Sequence, residues 1–257
     1  MPSVGNVNHK PAEGSPSEIF GNFLTSAIWE RWFSTMNCQA VIFDLDGTLL
    51  DTLTDIADAA NRALRAHGFS PHERQAYRWF IGDGSAILMA RALPESQRTA
   101  ETVQACLKSF IEDYNQNWHQ ATRPYDGLRN LLEGLRDRNI KLAVVTNKPH
   151  RFAVSMMAHY FGDYPFDPIL GQQAGVPKKP HPGQALAAAR SMGVRPDRCI
   201  FIGDSAVDME TGRNAGMHPV GAGWGFRTPA ELMNTGALTV VQHPAGLLDF
   251  IDLYTFG

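Results

Sequence analysis

At 257 residues the chain is long enough to bury a sizeable core, as one large domain or two unequal ones. Hydrophobic residues make up 44% and charged residues 19%, an ordinary balance for a globular protein. A net charge of −3 leaves no excess of Lys and Arg to meet a phosphate backbone, which argues against nucleic acid as the main partner.

No apolar run reaches the roughly eighteen residues of a membrane span. Cys38, Cys106 and Cys199 are odd in number, far apart and without CxxC spacing. They point to a reducing compartment, and neither to a disulfide framework nor to a zinc site. Residues 1–18 are rich in Pro, Gly, Ser and Asn and read as disordered. Residues 19–33 then place Ile19, Phe20, Phe23, Leu24, Ala27 and Ile28 at helical spacing. No cationic start leads into a continuous apolar segment, so a signal peptide fits poorly. Residues 1–35 are thus either an appendage with a short amphipathic helix or sequence upstream of a start at Met36.

The first strand pattern is VIFDLDGT, residues 41–48. Val41, Ile42 and Phe43 read as a buried strand, and Gly47 stops the run. Two carboxylates, Asp44 and Asp46, follow it, and crowded acids need a cation or a proton to relieve their repulsion. The competing reading is a plain Asp46-Gly47 turn. From Leu53 to about residue 118 the pattern is helical throughout: Leu53 to His67, about 72–80, 85–93 and 96–118. That is too long for a simple crossover and reads as a helical insert lying over the strand ends as a lid.

Strand and helix then alternate. Lys141 to Asn147, Cys199 to Asp204 and His218 to Gly221 read as strands, with a weaker one at Leu238 to Val241. Helical patterns cover 126–138, 150–160, 183–192, 207–215, 229–234 and 244–254. This alternation predicts a parallel sheet covered on both faces, with its strand-end polar residues along one edge.

Four strand-end clusters result: Asp44-Leu45-Asp46-Gly47-Thr48; Thr146-Asn147; Lys179-Pro180-His181-Pro182; and Gly203-Asp204-Ser205, with Asp208 one helical turn beyond Asp204. Each alone is weak; in this order on one scaffold they are specific. The chain from about Met36 onward resembles the haloacid dehalogenase-like superfamily, and within it the phosphatases with a helical cap between the first two core strands. The segments IGDGSAILMARAL (81–93), RPYDGL (123–128) and GWGFRTPAEL (223–232) are similar to those of phosphoglycolate phosphatases.

That resemblance implies an α/β fold, a Rossmann-like parallel sheet core (36–50 and 124–257) with an inserted all-helical cap (51–123). It implies Asp44 as the nucleophile that forms an aspartyl-phosphate, and Asp46 as the general acid and then base. The dual role needs Asp46 partly protonated, which an ionised Asp44 beside it would favour. Mg²⁺ would be held by Asp44, the backbone carbonyl of Asp46 and Asp204, with Asp208 and Thr48 in support. Thr146, Asn147 and Lys179 would bind the phosphate. By charge count, phosphate with Asp44, Asp204 and Asp208 gathers roughly five negative charges, of which Mg²⁺ and Lys179 return roughly three. Lys178 competes for this role, but the Lys-Pro-x-Pro spacing favours Lys179.

Phe80 to Ala86 (FIGDGSA) imitates Phe201 to Ala206 (FIGDSA), yet it follows no strand and carries Ile87 where Asp208 stands in the second copy. Gly82, Asp83 and Gly84 therefore form no metal site and no P-loop; they face the substrate or cap a helix. Arg78, Arg91 and Arg123 are the candidates to meet a substrate carboxylate, while His150 and His181 read as helix-end residues. The expected activity is a Mg²⁺-dependent phosphomonoesterase of a small metabolite, 2-phosphoglycolate foremost. Pyrophosphate, sugar and amino-sugar acid phosphates, or a mutase of the β-phosphoglucomutase kind, stand as alternatives. A cytoplasmic monomer or homodimer with no nucleic-acid or membrane partner is the expected setting.

Overall fold

A computed structural model of the protein describes residues 37–255. The expected extension, residues 1–35, lies outside the described residues. The main sheet has six parallel strands in the order β5-β4-β1-β6-β7-β8. These are β1 (Ala40–Phe43), β4 (Lys141–Pro149), β5 (Phe166–Gln172), β6 (Cys199–Gly203), β7 (His218–Ala222) and β8 (Thr239–Val241). β1 is wholly buried at the centre, as expected of a strand covered on both faces. Ala40 and Ile42 point to one side, where Ala143, Val145 and Phe201 join them against Ala185, Ala188 and Ala189. Those alanines belong to helix α7 (Gly183–Ser191) and let it approach the sheet closely.

The chain moves outward from β1 to β4 and β5, then crosses back to β6 on the other side of β1. The crevice between β1 and β6 is thus the topological switch point of the sheet, where open α/β folds place their ligands. Asp44 follows β1 directly, and Asp204 follows β6.

β5 escaped the sequence reading. Asp167-Pro168 and Gly171 interrupt its apolar pattern, and β5 is an edge strand, where a proline breaks no ladder on both sides.

Between β1 and β4 stand four helices: α1 (Leu53–Ala66), α2 (Tyr77–Phe80), α3 (Ser85–Ala92) and α4 (Ala100–Asn117). Thr99 starts α4 by accepting the Thr102 N–H at 3.2 Å, a proper N-cap. The insert leaves and rejoins the rest of the chain through a two-stranded antiparallel ribbon, β2 (Leu50–Asp51) with β3 (Arg123–Pro124). Asp55 fastens that junction, accepting the N–H groups of Ala121 and Thr122 and the Thr122 hydroxyl. The insert's apolar cluster, including Ile56, Leu88, Phe110 and Tyr114, also takes in Phe152 and Phe226 from beneath it. Phe152 belongs to α6 (His150–Phe161), which follows β4 without a break; α5 (Leu128–Asp137) precedes that strand. Helices α8 (Ala206–Asn214), α9 (Pro229–Asn234) and α10 (Ala245–Thr255) complete the order.

Candidate active site

Local structure sets each strand-end side chain. Gly47 turns the chain after β1 with φ of +84°, and a Cβ there would overlap the Asp204 carboxylate and Phe226. Only glycine lets the loop carrying Asp46 lie against Asp204. Ser205 and Asp208 form a capping box at the start of α8: the Asp208 carboxylate accepts the Ser205 N–H at 3.1 Å and its hydroxyl at 2.5 Å.

Three carboxylates converge: oxygens of Asp44, Asp204 and Asp208 lie within 4.8 Å of one another, all in buried residues. Lys179 enters this group with its Nζ 2.8 Å from Asp44 Oδ1 and 2.6 Å from Asp208 Oδ1. Burial opposes the charge on Lys179, yet Asp208 and Asp44 outweigh it and hold the ammonium above the ordinary lysine range. Among the described residues no cation is bonded to Asp204, and the Arg227 charge acts on it only from farther off. Burial first, then Asp208 and Asp44, raise its pKa well above that of a free carboxyl, although Phe226 N–H donates to Oδ2 at 2.6 Å.

Three carboxylates and one lysine leave the cluster net negative. An all-oxygen donor set of this kind suits a hard divalent cation such as Mg²⁺, and the residues present fit that ion. The three cysteines are buried and unpaired, and burial pushes the thiols of Cys38 and Cys199 up to about 12. They offer no thiolate to a metal.

Asp46 has a cation of its own. Its carboxylate accepts two bonds, at 2.9 and 3.1 Å, from the ammonium of Lys148. Asp44 and Asp46 are thus each paired with a lysine of their own. Lys148 also donates to the Tyr114 hydroxyl of α4 at 2.9 Å. Burial works against this charge too, but Asp46 and Tyr114 prevail and raise the pKa of Lys148. Sequence reasoning passed over Lys148, because a lysine after Thr-Asn carries no pattern that marks it as buried.

The Asn147 side chain is engaged on both sides. Its Oδ1 accepts the Lys179 N–H at 2.9 Å, and its Nδ2 donates to the carbonyls of Lys179 and Gly82. The side-chain amide thus fixes the Lys179 loop and the insert's Gly82 turn. Thr146 lines the cavity, and its hydroxyl accepts the Lys148 N–H at 3.3 Å. Thr48 is buried beside the site, and its carbonyl accepts Trp224 Nε1–H at 3.0 Å.

Gly82 and Gly84 line the cavity. Asp83 does not start a helix: Gly84 is the cap of α3, and Asp83 pairs with Arg91 at 2.6 Å. Lys178 is exposed and donates to the Asp83 carbonyl at 2.9 Å, which leaves Lys179 as the lysine of the carboxylate cluster. His150 and His181 accept the N–H groups of Gly171 and Gly183 through Nδ1, as helix-end residues do.

The cavity lies between the strand ends and the insert, with Ile56, Ile81, Leu88 and Phe110 as its apolar wall. Arg227 also lines it, and sequence reasoning missed this residue. Its guanidinium donates to the carbonyls of Arg78 and Ile81. Arg78 in turn donates to the carbonyls of Phe226 at 2.9 Å and Gly225 at 2.6 Å. The two arginines therefore clasp the insert to the loop that touches Asp204. Neither Arg78, Arg91 nor exposed Arg123, 4.0 Å from Asp51, is among the residues lining the cavity.

Residues 41–222 match the family model described as haloacid dehalogenase-like hydrolase. The chain is 33% identical to the N-acetylmuramic acid 6-phosphate phosphatase of Pseudomonas aeruginosa over 84% of its own length and 96% of the relative. It is 31% identical to a phosphoglycolate phosphatase of Psychrobacter arcticus, again over 84% and 96%. Among solved structures, a candidate phosphoglycolate phosphatase of Lactobacillus delbrueckii subsp. bulgaricus superposes with a TM-score of 0.80 at 31% identity, over 84% of this chain and 99% of that one.

Proposed function

The chain belongs to the haloacid dehalogenase-like hydrolases and is a phosphoric monoester hydrolase, and on that premise we propose that it is a Mg²⁺-dependent phosphatase of 2-phosphoglycolate. The observation that carries the mechanism is the position of Lys179, ion-paired at once with Asp44 and Asp208 with Asp204 in the same buried group. Asp44 attacks phosphorus and becomes the aspartyl-phosphate. Lys179 keeps that carboxylate aimed, and offsets the charge of the arriving phosphate. Asp46, in its protonated form, gives its proton to the leaving oxygen, and the carboxylate so formed takes one back from the water that cleaves the intermediate. Asp44, Asp204 and the Asp46 carbonyl would hold Mg²⁺, with Asp208 in support; when bound, the ion offsets negative charge gathered at the phosphate. Residues 51–123 act as the cap, excluding water over the strand ends, and Asn147 ties its Gly82 turn to the Lys179 loop.

A second substrate is favoured by the Pseudomonas relative, whose name specifies an amino-sugar acid phosphate. Measuring kcat/KM on phosphoglycolate, N-acetylmuramic acid 6-phosphate, pyrophosphate and hexose phosphates separates these readings. A preference for phosphoglycolate of more than about tenfold, or about 1.4 kcal/mol, supports the assignment, and a smaller one removes it. Phosphate moved within a sugar, and not released, would mark a mutase.

A further inference from the structure

We propose that Lys148 and Tyr114 form the subsite for a carboxylate on the carbon that bears the substrate's ester oxygen, so that this pair selects phosphate esters of 2-hydroxy acids. The inference rests on the proposed role of Asp46 as the acid that meets the leaving oxygen. A leaving oxygen that takes its proton from Asp46 comes within about 2.6–3.2 Å of that carboxyl. Lys148 Nζ is itself 2.9 and 3.1 Å from the two Asp46 oxygens, so the ammonium lies on the side of the site where the leaving oxygen takes its proton. A carboxylate one carbon from the ester oxygen reaches that position; one placed farther along a sugar does not.

The surroundings favour an anion there. Lys148 is 6% exposed and lines a cavity walled by Ile56, Leu88 and Phe110. In such a wall an ion pair with substrate is screened little by water. Tyr114 accepts from Lys148 through its hydroxyl oxygen, and no described residue accepts the phenolic proton in return. Burial raises the Tyr114 pKa, so that proton stays available as a donor. Cation and O–H donor together match the two oxygens of a carboxylate. Arg227, the other cation among the described residues lining the cavity, is turned to the carbonyls of Arg78 and Ile81 and pairs with Glu231 at 3.3 Å. None of the three arginines expected for this task lines the cavity.

The test compares kcat/KM on 2-phosphoglycolate with kcat/KM on ethyl phosphate, which replaces the carboxylate by a methyl group. Both are measured with Mg²⁺ for the wild type, Lys148→Met, Lys148→Arg and Tyr114→Phe. The preference for the acid is expected to fall at least about thirtyfold in Lys148→Met and about fivefold in Tyr114→Phe, as for a charged and a neutral hydrogen bond. Lys148→Arg keeps the charge but shifts it, and is expected to retain part of the preference. Inhibition by glycolate, which needs no turnover, is expected to weaken about tenfold or more in Lys148→Met. Should Lys148→Met fail to fold, Tyr114→Phe and Lys148→Arg carry the same ratio. A wild type that prefers the acid, with a ratio unchanged in these variants, overturns the subsite and leaves the substrate assignment standing. A wild type indifferent to the carboxylate overturns both.

Discussion

Lys179 Nζ stands 2.8 Å from Asp44 Oδ1, with both side chains shielded from water. Lys179 is the one lysine of the carboxylate cluster, so removing it leaves like charges facing one another at short range. Lys179→Met is expected to lower kcat on p-nitrophenyl phosphate by about a thousandfold or more, the scale of losing a preorganised charge. It should also cost about 3 kcal/mol of stability in urea unfolding, as for a buried pair broken from one side.

Asp204 makes the metal-free protein sensitive to pH. Burial, then Asp208 and Asp44, raise its pKa in the folded state above the ordinary 3.8. The folded chain therefore holds this proton more tightly than the unfolded one. That contribution to stability is complete below the unfolded value and is lost as pH rises through the folded one. In EDTA the melting temperature is expected to fall from pH 5 to pH 8, and Asp204→Asn should flatten the slope. Mg²⁺ should restore stability at the upper end, since it binds the folded form. A melting temperature that rises over this range in EDTA, unaffected by Asp204→Asn, contradicts the assignment.

Arg78 and Arg227 hold the insert to the loop at Asp204 from opposite sides. Arg78→Ala and Arg227→Ala are each expected to lower kcat/KM about tenfold, the scale of one charged hydrogen bond. Because both act on one clasp, the double variant should lose less than the product of the two. A strictly multiplicative loss would show that they work independently.

Gly47→Ala is expected to abolish activity and destabilise the protein by more than about 2 kcal/mol, through a left-handed backbone and a Cβ driven into the Asp204 carboxylate. Activity assay with thermal melting checks this directly. A folded, active Gly47→Ala protein would mean that the loop has room that this packing denies.

The strand ends were legible because buried parallel strands are continuous apolar runs, and an acid that ends such a run stands out. Asp44, Asp204, Asp208 and Lys179 come together as expected from their places in the alternation. What the chain did not disclose depends on distant partners. Lys148 meets Asp46 from 102 positions away and Tyr114 from 34, and nothing near Lys148 in sequence marks it as buried. That the Asn147 side-chain amide fixes two loops is likewise a matter of tertiary structure, since its partners lie 32 and 65 positions away. Edge strand β5 was hidden by its own proline and glycine.

The most direct measurement of the central claim is acid quenching during turnover with Mg²⁺, followed by peptide mass spectrometry. The account predicts one phosphoryl group on Asp44 in the wild type and none, with no turnover, in Asp44→Asn. A phosphoryl group on another residue, or Asp44→Asn releasing phosphate at the wild-type rate, contradicts it.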